Sequence, residues 1–459
     1  MESIVSRRVS MPQSTFFGGV HPFDGKDMSK EKPIKTIFPR GDMVYPLKQH
    51  IGAPAVPIVK PGDPVLTGQM IARADGDLSA AVHATVSGTV IRIGPHLLAD
   101  GSEQECIVIH NDGRFHEIFY PQARSLEQLN AATIIESVRD AGVVGMGGAG
   151  LPAHIKLETE NPRRIDYCIA NCVECEPYLT SDYRRMVENP AKVINGLRIE
   201  MKIFSRARGI LAVDERCSDV SRLFRDLTRD DPRIYVRRLR SKYPQGAERQ
   251  LIYALTGRTL NAAMLPSDIG CSVSNVDTLV AINQAVMVHE PLLTRIVTVS
   301  GDAAAEPRNF RVRIGMSVRE LLERAGGFSQ PPALILNGGP MTGTRIDNLD
   351  VPVTKLTSAI VALRKDRCGV YRETPCTRCG RCVRACPNHL VPMQLYEDLL
   401  KKRDDLFLRH GGLECSGCGC CSYACPSRMQ LSYRIYSRRT ALIRDPERAG
   451  IYARRLSTQ

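Results

Sequence analysis

PCTRCGRCVRACPNH (375–389) and ECSGCGCCSYACPS (414–427) are two copies of one pattern. Each spells C-x2-C-x2-C-x3-C-P, first at Cys376, Cys379, Cys382 and Cys386, then at Cys415, Cys418, Cys421 and Cys425, every cysteine 39 residues after its counterpart. A repeat at fixed offset means one local structure built twice. A run of this spacing wraps three thiolates around one [4Fe–4S] cluster, while its fourth cysteine, followed by Pro, crosses to the other cluster. Cys376, Cys379, Cys382 and Cys425 are therefore expected to hold the first cluster, and Cys415, Cys418, Cys421 and Cys386 the second. Pro387 and Pro426 suit the turn after each crossing cysteine, because Pro presets φ and does not extend a helix.

A structural zinc site is the competing reading, but zinc pairs lack the third and fourth cysteines on this period. Cys420 is surplus to both sets and is expected to be a free thiol or a packing residue, with Cys421 the ligand it could exchange with. The bacterial ferredoxin pattern points to electron transfer, and the rest of the chain must supply the electrons' entry. With 459 residues, three or four domains are expected, and a 43% hydrophobic content supports sizeable cores. Sixteen cysteines without a signal-peptide pattern suggest a reducing compartment. A formal charge of +13 suits an acidic partner or an anionic membrane face. Nucleic acid is disfavoured, since aromatic residues make up 5%, Trp is absent, and the basic residues are scattered. No run of 18 apolar residues predicts a membrane span.

Residues 1–40 mix Ser, Pro, Gly and Lys and read as an extended arm, with a folded unit starting near Met43. VKPGDPVLTGQMIA (59–72) and HATVSGTVIRIG (83–94) resemble the strands of biotinyl and lipoyl carrier domains, a barrel-sandwich fold. No lysine lies between Ala72 and Gly88, so a structural or docking module is expected rather than a carrier. From about 125 to 290 the pattern alternates: helix at 134–142, strand at 166–171, one long helix over 182–202, strand at 209–215, helix at 246–257. Such alternation predicts an α/β domain with a largely parallel sheet. RIVTVSGDAA and FRVRIGMSVRELLERAGGF, between 295 and 328, read as strands and a short helix of a β-grasp-like unit. The tail from Arg428 carries eight arginines against Asp445 and Glu447; it reads as a solvated basic helix or a docking segment for an acidic partner or membrane.

GMGGAGLPAHIK (145–156) matches G-x-G-x-x-G, but helix-like sequence precedes it where a dinucleotide fingerprint needs a strand. Its glycines still let backbone N–H groups approach an anion, and Lys156 adds charge. NCVECEPYLTSDYRRM (171–186) puts Asn171, Glu174 and Glu176 at a strand end, where open α/β sheets bind ligands. Cys168, Cys172 and Cys175 lack a crossing cysteine and read as small buried residues rather than a third metal site.

In order, GxGGAGxP…K, NxxExEP, KYPQGAE (242–248) and SNVDTL (274–279) resemble the flavoprotein subunit of respiratory complex I. With the barrel-sandwich module in front and the two-cluster unit behind, the chain is more similar still to the RnfC family of the Rnf ferredoxin:NAD oxidoreductase. Val173 departs from the complex I pattern, which has an acidic residue there. The resemblance implies a multidomain α/β and α+β chain: an arm over 1–40, a barrel-sandwich module over 41–122 and an FMN/NADH-binding α/β domain over 123–292. A soluble-ligand-binding β-grasp (SLBB) unit over 293–364, a two-cluster ferredoxin-like domain over 365–432 and a basic tail over 433–459 complete it. Gly145, Gly147, Gly148, Gly150 and Lys156 would form the flavin and nucleotide loop, with Asn171, Glu174 and Glu176 lining the same site and Asn275 near the flavin phosphate. The implied activity is hydride exchange between NAD(H) and FMN, with electrons passing to both clusters and on to ferredoxin or a neighbouring subunit; no side chain serves as catalytic acid or base. The implied place is peripheral, on the cytoplasmic face of the cell membrane, with membrane partners moving the ion. Two other readings are a soluble NADH-dependent reductase of the same modules, such as a cobalamin reductase, and a non-enzymatic iron–sulfur relay.

Overall fold

The computed structural model describes residues 14–364 and 372–444. At its centre four parallel strands lie in the order Ile234–Leu239, Arg208–Asp214, Tyr167–Cys172, Cys271–Asn275. Their apolar runs are buried on both faces, as a parallel sheet between helices requires. Ile169, Ile210, Val273 and Leu251 pack on one side, and Leu211, Val213, Leu197 and Leu279 on the other. The single helix expected over 182–202 is two, Ser181–Glu188 and Pro190–Ile203. Asn189, out of helical conformation before a proline, ends the first, and Pro190 opens the second, where its missing N–H costs nothing.

The barrel-sandwich module pairs Met43–Pro46, Glu103–Asn111, Gly88–Leu97 and Pro64–Val65 in one antiparallel sheet, against Val56–Pro57, Met70–Arg73 and Val82–His83 in another. Its core does not close on itself. Ile71, Ile107 and Ile109 share one apolar cluster with Val297, Phe310, Met316 and Leu321 of the β-grasp region. There a six-stranded mixed sheet runs Lys35–Thr36, Arg308–Arg313, Thr294–Ser300, Ala359–Leu363, Leu334–Asn337, Thr344–Arg345. The outermost strand, Lys35–Thr36, comes from the N-terminal arm and pairs parallel with Arg308–Arg313.

The arm expected to be extended up to residue 40 is so at that strand, and it is packed against the folded units. Phe16 is buried, Val20 bridges Tyr243, Gly19 N–H donates to Ala385 O at 2.9 Å, and Phe17 stacks on His389 with ring centres 5.6 Å apart. The arm thus laces the cysteine-rich unit to the α/β domain. Residues 1–13 lie outside the described residues.

The cysteine-rich unit is helical: Arg381–Ala385, Pro392–Leu400, Asp404–Arg409, Cys420–Tyr423 and Leu431–Arg444. The last helix crosses the expected boundary at 432 and is no solvated tail. It buries Leu431, Ile435 and Leu442 against Leu395, Tyr396 and Phe407. Arg434 donates to Tyr396 Oη and Glu373, Arg438 pairs with Asp404, and Arg439 donates to Leu413 O at 2.7 Å. Three of its arginines are therefore engaged within the unit, and residues 445–459 of the expected docking segment lie outside the described residues.

Candidate functional site

Chain order sets the site. From Tyr167–Cys172 the sheet grows one way through Arg208–Asp214 to Ile234–Leu239, then returns to the other side with Cys271–Asn275. Ligands of open α/β sheets bind at such a reversal, beyond the strands' carboxyl ends. A cavity of about 730 Å³ lies there, bordered by Gly145, Gly147, Gly148, Gly150, Lys156, Asn171, Gly246, Glu248, Ser272, Asn275 and Thr278.

The glycine loop follows a helix, Ala131–Asp140, and is pinned at both ends. Gly145 N–H donates to Leu151 O at 2.8 Å and Met146 N–H to Thr278 Oγ1 at 3.0 Å. Among the described residues none accepts the N–H of Gly147, Gly148 or Ala149. Three successive free donors at a cavity wall fit an anionic group such as a nucleotide phosphate. A Cβ on Gly147 would stand 2.7 Å from Asn275 Cβ, whereas one on Gly148 would meet nothing within 4 Å.

Lys156 Nζ donates to Val273 O at 2.6 Å. Behind it Glu200 is fully buried, accepts from Ser274 Oγ at 2.5 Å, and leaves Oε2 without a partner, as Ser272 Oγ is left. Burial pushes the Glu200 carboxyl up to about 7, against the pull of Ser274 and Lys156. Asn171 donates to Gly246 O at 2.8 Å, bringing the KYPQGAE segment to the strand end. Asn275 Oδ1 caps the helix Val276–Val288 through Asp277 N–H at 2.8 Å, and its Nδ2 donates to Asp182 at 2.7 Å. Asp182 is pushed up to about 8 by burial, then by Glu174 and Asp277.

Glu174 and Glu176 do not border this cavity, contrary to the sequence expectation. Glu174 accepts from Asp182 N–H at 3.0 Å, Ser181 Oγ at 3.2 Å and Tyr183 N–H at 3.4 Å, satisfying the first turn of Ser181–Glu188. Glu176 accepts from Met341 N–H at 2.7 Å and Thr342 Oγ1 at 3.3 Å. Orphan N–H groups at a helix start and in a tight loop claim both carboxylates. Sequence reasoning missed Glu248, Ser272 and Thr278, although Glu248 closes the quoted KYPQGAE segment.

The eight repeat cysteines fall into two groups. Cys376, Cys379, Cys382 and Cys425 surround a cavity of about 380 Å³, and Cys386, Cys415, Cys418 and Cys421 border a second together with the surplus Cys420. Each group takes its fourth thiol from the other copy of the repeat. Gly380 and Gly419, at equivalent positions, both adopt the left-handed conformation, with φ of 72° and 82°. Thiols standing around a cavity fit a polynuclear cluster.

The second group abuts the α/β domain. Tyr243 Oη donates to Cys418 O at 2.7 Å, Gln250 to Asn388 at 2.9 Å, and Arg249 pairs with Glu414 at 2.7 Å. The first group faces outward, and Cys379 is exposed. Cys420 is fully buried among Val20, Tyr243 and Ala385, and it also borders the second cavity beside Cys421, the ligand it could exchange with. Cys168 and Cys172 are buried in the α/β core with thiols pushed up by burial, and Cys175 packs beside Tyr243 and Cys420.

Four family models match: the Nuo51 FMN-binding domain at 138–284, the RnfC barrel sandwich hybrid domain at 14–114, the SLBB domain at 296–345 and the 4Fe-4S dicluster domain at 375–429. The RnfC protein of the proton-translocating ferredoxin:NAD(+) oxidoreductase complex of Clostridium ljungdahlii is 41% identical over 383 residues, 83% of either chain. Its counterpart in the Na(+)-translocating ferredoxin:NAD(+) oxidoreductase complex of Acetobacterium woodii is 37% identical over 392 residues, 85% of this chain and 88% of that one. Among solved structures, an air-oxidised NAD+-reducing [NiFe]-hydrogenase matches with a TM-score of 0.47 at 18% identity, covering 63% of this chain and 59% of that one.

Proposed function

The chain belongs to the RnfC family of ion-translocating ferredoxin:NAD(+) oxidoreductase complexes, and from that premise we propose which of its residues carry electrons through it. It is an electron-transfer component of an oxidoreductase complex, with an FMN-binding domain and two [4Fe–4S] clusters. FMN supplies the exchange between a two-electron hydride donor and one-electron acceptors.

The protein's own part is placement. The N–H groups of Gly147, Gly148 and Ala149 would receive the flavin phosphate, with Lys156, Asn171, Asn275 and Glu248 around a cavity that would also admit NAD(H). Cys386, Cys415, Cys418 and Cys421 would hold the cluster on the side of the α/β domain. Cys376, Cys379, Cys382 and Cys425 would hold the outer one, with exposed Cys379 on the side open to ferredoxin or a neighbouring subunit. The observation that carries this order is the Tyr243–Cys418 hydrogen bond, three residues along the chain from Gly246 in the cavity wall. No helix among the described residues is long and apolar enough to cross a membrane. From the family to which the chain belongs, the proposed place is peripheral, on the cytoplasmic face, with ion translocation left to partner subunits.

The test is anaerobic purification followed by iron and flavin analysis and NADH addition under visible and EPR spectroscopy. About eight irons with FMN retained or taken up, and clusters reduced by NADH, support the reading. No flavin uptake and no response to NADH would leave an iron–sulfur relay.

Steric contrast tests the glycine loop. Gly147→Ala must push Asn275 aside, so FMN affinity is expected to fall by at least about tenfold while iron content stays unchanged. Gly148→Ala meets no protein atom and is expected to keep the fold but obstruct the ligand. Equal affinity in both variants and the wild type would remove the loop from the site.

Glu176 gives a separate expectation. Glu176→Ala frees the loop whose Met341 packs over Cys418 and Cys420. FMN content should hold, while the visible cluster absorbance decays faster in air. A wild-type decay rate with weakened FMN would return Glu176 to the flavin site.

A further inference from the structure

Apart from the flavin cavity, a pocket of about 230 Å³ lies between the α/β domain and the six-stranded sheet, closed at one edge by Ile37 and Phe38 of the N-terminal arm. Its charges do not balance. Arg185 is committed to Asp277 at 2.7 Å and to Asn189 at 3.1 Å, and Asp277 is held again by Arg295 at 2.6 Å. Lys192 and Arg311 also border the pocket, and among the described residues no carboxylate lies within 4.0 Å of either. Glu290 is the remaining acid in the wall, already bonded by Gln284. Arg313 adds a further cation, set over the Phe115 ring at 6.0 Å.

Burial lowers the pKa of both Lys192 and Arg311, with Arg185 pushing each the same way and Glu290 opposing, joined at Arg311 by Glu188 and Asp277. Like charges side by side, Arg311 half-buried and Lys192 exposed, with no carboxylate within ion-pair distance, are an arrangement that an incoming anion relieves. The guanidinium of Arg311 offers a planar fork and Lys192 a point charge, the pair of geometries that phosphate oxygens accept. Val280, Ala281 and Leu292 supply an apolar wall for a short carbon skeleton. At this volume, below the roughly 300–1,000 Å³ of drug-sized pockets, only a small ligand fits.

We propose that this interdomain pocket is a second ligand site, taking a phosphate dianion through Arg311 and Lys192, either free or as the monoester of a small metabolite. It is separate from the flavin cavity, and its existence does not depend on the flavin assignment.

The test uses the full chain, anaerobic, with both clusters and saturating FMN so that the glycine loop is filled. Inorganic phosphate and glycerol 3-phosphate are titrated by calorimetry into the wild type, Arg311→Gln, Lys192→Gln and, as a control for the other cavity, Lys156→Gln. Binding weakened at least about tenfold by the first two substitutions and unchanged by the third supports the site. Tighter glycerol 3-phosphate would assign the monoester, and tighter phosphate the free ion. Absence of binding of both probes, or binding sensitive to Lys156→Gln alone, overturns it. Should Arg311→Gln fold poorly, exposed Lys192 alone decides, with iron and FMN content as the check on folding.

Discussion

Cys386→Ala is expected to destroy the cluster of Cys415, Cys418 and Cys421 while sparing the one in its own copy of the repeat. Cys386 borders the cavity of those three, and Cys425 that of Cys376, Cys379 and Cys382. Iron should fall from about eight per chain to about four, and the reciprocal Cys425→Ala should remove the other half. EPR of the reduced variants distinguishes the two remaining clusters. The functional effect should differ as well. Losing the inner cluster cuts the flavin off from everything beyond it, so NADH should still reduce bound FMN while the remaining cluster stays oxidised. With Cys425→Ala the inner cluster should still be reduced by NADH, but transfer to an external protein acceptor should collapse. If Cys386→Ala instead removes the cluster of Cys376, the crossed assignment is wrong.

Lys355→Met should produce the largest change in the stability of the fold and its pH dependence. Lys355 is 2% exposed and donates to Ala81 O at 2.6 Å and Gly142 O at 2.7 Å. It thereby ties the β-grasp region to the barrel-sandwich module and to the segment entering the glycine loop. Burial lowers its ammonium from 10.5 to about 7, and its charge helps to hold buried His83 down at about 3. Between pH 7 and 10.5 the unfolded chain binds the proton more readily than the fold, so wild-type stability gains with rising pH from this group. The gain is at most about 1.4 kcal/mol per pH unit, and below pH 7 the contribution is constant. Methionine removes that titration and strands two carbonyls at about 1–3 kcal/mol each. The variant's deficit in denaturation midpoint should therefore widen from pH 7 to pH 10, with FMN affinity falling alongside as Gly142 loosens. A deficit that stays flat or narrows across that range would refute the assignment of the shift to Lys355.

Local spacing carried much of this protein's chemistry in readable form. The C-x2-C-x2-C-x3-C-P period predicts the crossing of Cys386 and Cys425, and each lies at the cavity bordered by the first three cysteines of the other copy. The helix–strand alternation predicted the parallel sheet. The glycine loop met Asn171 and Asn275 because strand ends at a reversal of chain order share one crevice. The break at Asn189–Pro190 was also legible, in a proline that long-helix periodicity overrode.

Other features depended on partners far along the chain. Glu174 and Glu176 look like acceptors for a ligand until the fold sets them on Asp182, Tyr183, Met341 and Thr342. The arm over residues 14–38 has no periodicity of its own, and becomes ordered only where Val20 meets Tyr243 and Lys35 meets Phe310. The arginines of Leu431–Arg444 read as a solvated face until Asp404, Tyr396 and Leu413 are brought beside them. The cofactor-bearing units were thus written in the order of residues, since ligand spacing and strand or helix period act within a few positions. Which charges satisfy the fold was decided by packing alone, because a buried polar group takes whichever partner is placed within hydrogen-bond reach.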